Sequence, residues 1–86
     1  MAIRKGDFNS LATYLQSLGI PNADVEDLRR KVENDPQPES RDKLGTNVSS
    51  WIGKMVGKAA SGVWQIAMGT AGSLLAQAIC RYYGFA

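Results

Sequence analysis

The residue types able to do chemistry in this chain are few. The carboxylate pairs are Asp24 with Asp27 and Glu33 with Asp35; the remaining candidates are the lone thiol of Cys80, the phenols Tyr82 and Tyr83, and the basic run Arg29-Arg30-Lys31. Paired carboxylates serve as general acid and base when one of them is desolvated, but here both pairs lie in polar sequence, which makes them helix caps and surface charge. There is no histidine, so the commonest general base and the commonest metal ligand are both missing. A single cysteine closes no intramolecular bridge and, in apolar surroundings, reads as a buried inert thiol. The basic run is interleaved with Glu26, Asp27 and Glu33 and makes no continuous phosphate track. No catalytic residue, cofactor-binding residue or metal ligand is nominated, and no enzymatic activity is expected.

The one pattern with a physical use is made of small residues. Gly53-Lys54-Met55-Val56-Gly57 is a GxxxG, continued by Ala60, Ser61 and Gly62 and later by Gly69 and Gly72. Such a seam lets two helix backbones approach closely. Its neighbours Trp51, Ile52, Met55, Val56, Val63, Trp64, Ile66 and Leu74 would supply contact area, with Lys54 and Lys58 left on the solvent side. Packing between chains and packing within one monomer are both compatible with this pattern.

The elements that carry these residues follow from length and periodicity. At 86 residues the chain holds one small domain, with 44% hydrophobic and 21% charged residues, a globular composition. The charge is uneven: all eight acidic residues lie at or before Asp42, and seven of nine glycines lie after it. Phe8, Leu11, Leu15 and Leu18 recur at helical spacing after an Asp7 N-cap, and Gly19-Ile20-Pro21 ends that helix. Asn22 would cap a second helix, whose acidic first turn and basic last turns suit the helix dipole. The fold expected is all-α. Its parts are a hairpin in residues 1–35, a Pro-containing polar linker in 36–46 that leaves the halves free to move unless Leu44 anchors its far end, and a Gly/Ala-rich helix in 47–86. That last helix, capped by Thr46 or Asn47 and apolar around most of its girth, would run to about Tyr83 with its weakest point at Gly69–Gly72.

The segment from Ala59 to Cys80 has 22 residues without a formal charge, bracketed by Lys54 and Lys58 on one side and Arg81, Tyr82 and Tyr83 on the other. This length and these flanks fit a membrane-inserting or pore-forming segment, although Gln65, Gln77 and three glycines keep its hydropathy low. A second alternative is a weak nucleic-acid-binding module. Residues 1–5 do not read as a secretory signal, so a cytoplasmic chain is expected, with membrane association on activation as the variant.

The Gly6-Asp7 opening, the Leu18-Gly19-Ile20 turn before an acidic helix, Trp51-Ile52-Gly53-Lys54-Met55, Lys58-Ala59-Ala60-Ser61-Gly62 and the Tyr82-Tyr83-Gly84 end together resemble the C-terminal module of bacterial abortive-infection proteins of the AbiTii type. That resemblance implies a link to phage defence and attachment to a larger defence protein, and it brings no catalytic residue. The function expected is a non-catalytic homo-oligomerisation or protein-interaction module.

Overall fold

The computed structural model describes residues 3–35, 37–39, 43–62, 64 and 68–85. Among them are four helices and no strand: α1 (Phe8–Ser17), α2 (Asn22–Asn34), α3 (Thr46–Ala60) and α4 (Met68–Tyr83). The all-α expectation is met. Helix α1 packs on α2, α2 on α3, α3 on α4, and α4 returns to α1, so the helices close a ring around one core.

Local signals set the first two helices. The Asp7 carboxylate accepts the Ser10 N–H at 3.4 Å, satisfying one of the free donors of the first turn. At the other end Gly19 takes φ +90°, and the Ile20 N–H reaches back to the Leu15 carbonyl at 3.3 Å, burying the Ile20 side chain against the core. Helix α2 differs from the expected capping in one respect. Pro21 holds the N-cap position and Asn22 is already helical, with no side-chain cap. The fixed φ of proline, here −59°, presets the entry instead.

The far end of the linker is anchored, with Leu44 as the residue named for that role. The carboxylate of Asp35 accepts the Val48 N–H at 2.9 Å and the Asn47 side-chain amide at 2.9 Å, so a residue from the end of α2 caps α3 across the intervening loop. The N-cap of α3 is accordingly Gly45, which has no side chain to offer, and neither Thr46 nor Asn47 plays that part. A β-carbon at Gly45 would fall inside the Asp35 carboxyl group, which explains the glycine. Pro38 is buried and Leu44 packs on the edge of the core.

The second half is two helices, and the break is not at Gly69–Gly72. Helix α3 ends at Ala60; Ser61 is its αR C-cap, and Gly62 turns the chain out at φ +79°. Trp64 then folds back, its indole N–H donating to the Met55 carbonyl at 2.9 Å. Gly69 and Gly72 lie inside α4, where Gly72 admits the methyl of Val56 at 3.4 Å from where its β-carbon would stand. At Gly72 packing against α3 offsets the poor helix propensity of glycine. By doubling back, the chain covers much of its own apolar girth: Val48, Trp51, Met55, Leu75, Ala78 and Ile79 join Leu11, Leu15, Val25 and Leu28 in a core that excludes solvent.

Candidate functional site

Three arrangements of side chains stand outside the plain core. The first joins α2 to α3. Asp24 is 5% exposed and receives Lys58 on both oxygens, at 2.7 and 2.9 Å. Asp27 binds Lys54 at 3.1 Å, and Lys54 also lies 3.7 Å from Asp24. Spacings of three on α2 and four on α3 set these four charges on facing stripes. Beside them the Trp51 indole donates to the Asp24 carbonyl at 2.9 Å, so one turn of α2 accepts from α3 through both backbone and side chain. The hydrogen bond from Lys54 is the main force holding the Asp27 carboxyl below the usual range; burial opposes it, and the charges of Lys54, Lys31 and Arg30 add to it. The same bond raises Lys54. Lys54 and Lys58 are therefore ion-pair partners of α2, while Lys54 also keeps about half of its side chain, 48%, in solvent.

The second arrangement is the outer face of α3 and α4. Ser49, Ser50, Gly53, Gly57, Ala60, Ser61 and Gly62 are exposed on α3 and its end; Gly69, Thr70, Ser73 and Gln77 are exposed on α4. Among the described residues, a β-carbon at Gly53, Gly57, Gly62 or Gly69 would meet no neighbouring atom within 4 Å. The glycine seam thus faces outward, with the half-buried Ile52, Val56, Gly72 and Leu74 between or beside its two strips. No charged residue is among these.

The third arrangement gathers where the chain's two ends meet. The Gly6 N–H donates to the Tyr82 carbonyl at 2.9 Å, and the Phe8 ring stands edge-on to Tyr82 at 5.8 Å between centroids. The Arg29 guanidinium lies 4.5 Å over the other partner, Phe8, while pairing with Glu26 at 3.3 Å. Tyr83 is 6% exposed, and its hydroxyl is buried without a hydrogen-bond partner. Burial first, and then the nearby Asp35 charge, push this phenol up to about 12.

That shift fixes the sign of a pH effect. A phenol raised from 10 to about 12 in the folded state stabilises the fold fully below pH 10, and the contribution drains away as pH climbs through 12. Lys54, also raised, acts in the same direction but is about half exposed and weighs little. Urea midpoints should hold steady from pH 6 to 9 and fall above pH 10 by an amount on the order of 2 kcal/mol, while Tyr83→Phe flattens the alkaline limb. An unchanged limb in that variant would place the effect elsewhere.

The interface residues read from sequence divide between these regions. Trp51, Met55 and Trp64 belong to the core, at 1%, 0% and 2% exposure, and offer nothing to a partner. Ile52, Val56 and Leu74 are half-buried; Gly53, Gly57, Ala60 and Gly62 are exposed; Val63 and Ile66 lie outside the described residues. Of the proposed membrane anchors, Tyr83 is buried and Tyr82 half-buried, and only Arg81 is exposed without a described ion pair. The stretch from Ala59 to Cys80 is interrupted at Ser61–Gly62, and no described helix is long and apolar enough to cross a membrane. No group of three or more potential metal-ligating side chains occurs among the described residues. The clamp on Asp24 and the cap by Asp35 were missed. The first had a signal in the matched spacings of Asp24/Asp27 and Lys54/Lys58. Comparison of the chain with family models, with curated proteins and with solved structures finds no match.

Proposed function

We propose that this chain is a non-catalytic helical module that self-associates through the outer face of α3 and α4. The observation that carries the reading is the open space at Gly53 and Gly57. Each sits mid-helix with no positive φ, where glycine is about 0.5–1 kcal/mol worse than alanine, and among the described residues no neighbouring atom comes near enough to demand it. A second helix laid along the seam supplies the missing reason, because only a surface without β-carbons admits a backbone at close range. The occupant proposed is a second copy of the chain. The residues named for this face carry no charge, and one two-fold axis buries the same patch twice. Ile52, Gly53, Val56, Gly57, Ala60, Gly62 and Leu74 are the residues of this interface, and Trp51, Met55 and Trp64 support it from behind.

Light scattering coupled to size exclusion tests the reading. The expected mass is a multiple of the 9.3 kDa chain. Gly57→Leu should lower it to the monomer while leaving helicity intact, since the space at Gly57 is open in the isolated chain. A monomeric parent at high micromolar concentration overturns the proposal. The resemblance to the AbiTii-type module supports placing such an assembly in a bacterial cytoplasm, as the part that gathers an attached defence protein.

A further inference from the structure

No further inference is drawn: the strongest candidate, the shallow cleft where the N-terminal segment meets the ends of α2 and α4, is walled by the exposed side chains of Lys5 and Glu33, and nothing in the structure shows what covers it.

Discussion

Replacing Trp51 by alanine should remove most of the stability of this chain. The indole is 1% exposed, sits among Val48, Met55 and the apolar side of α2, and satisfies its own N–H on the Asp24 carbonyl. Deleting a buried tryptophan costs about 3–5 kcal/mol in lost transfer energy and cavity. A domain of 86 residues has roughly 4–13 kcal/mol in all, at about 0.05–0.15 kcal/mol per residue. Urea unfolding followed by far-UV circular dichroism should therefore show a midpoint far below that of the parent, or no folded baseline. Trp51→Phe should cost about 0.5–1.5 kcal/mol more than a conservative core swap, because it gives up the indole hydrogen bond to the Asp24 carbonyl. A loss below about 1 kcal/mol for Trp51→Ala would mean that the side chain does not hold α2 to α3.

The second large effect is expected at Asp24. Asp24→Ala leaves the Lys58 ammonium with no acceptor and takes from Lys54 its second anion. Were both partners fully buried the cost would be about 3–5 kcal/mol; the Lys58 side chain is 34% exposed and turns to water, which brings the expectation to about 1–3 kcal/mol. The double variant Asp24→Ala/Lys58→Ala should recover part of that loss, a non-additivity that a double-mutant cycle in urea reads directly. Additive costs would show that the two residues act on stability separately. Lys54→Ala, at a side chain 48% exposed, should cost less than about 1 kcal/mol.

The first half of the fold was legible because its signals are local. Asp7, Gly19 and Pro21 act within a turn of where they stand: Asp7 opens α1, Gly19 follows its end, and Pro21 opens α2. In the second half the deciding forces act across the chain. A helix apolar over most of its circumference needs cover, and its sequence does not say whether that cover is another chain, a lipid or its own continuation folded back. Ser61-Gly62 and the return of Trp64 to Met55 chose the third, which put Trp51, Met55 and Trp64 inside a core and away from any interface. Propensity drew attention to Gly69 and Gly72 as a breaking point, yet both lie within α4, and Gly72 packs on Val56 there. The cap of α3 was illegible for a related reason: its acceptor, Asp35, lies 12 residues before Asn47, beyond the reach of any local pattern. The GxxxG spacing was plain in the sequence, but a period gives no outward direction, and only the fold shows that Gly53 and Gly57 face open space.

The bond from Gly6 to the Tyr82 carbonyl joins positions separated by most of the chain, and it has a consequence for the route by which the chain folds. Two of the four helix contacts, α1 with α2 and α3 with α4, are sequential hairpins that need only short loops; α1 with α4 is the long-range one. Loop closure costs about (3/2)RT ln n, so its entropy grows slowly with length, and a joint made midway shortens the loop still to be closed. Asp35, by pinning the start of α3 to the end of α2, makes that joint. With that joint made, closing α1 on α4 spans a shorter effective loop and costs less chain entropy than closing the whole chain at once.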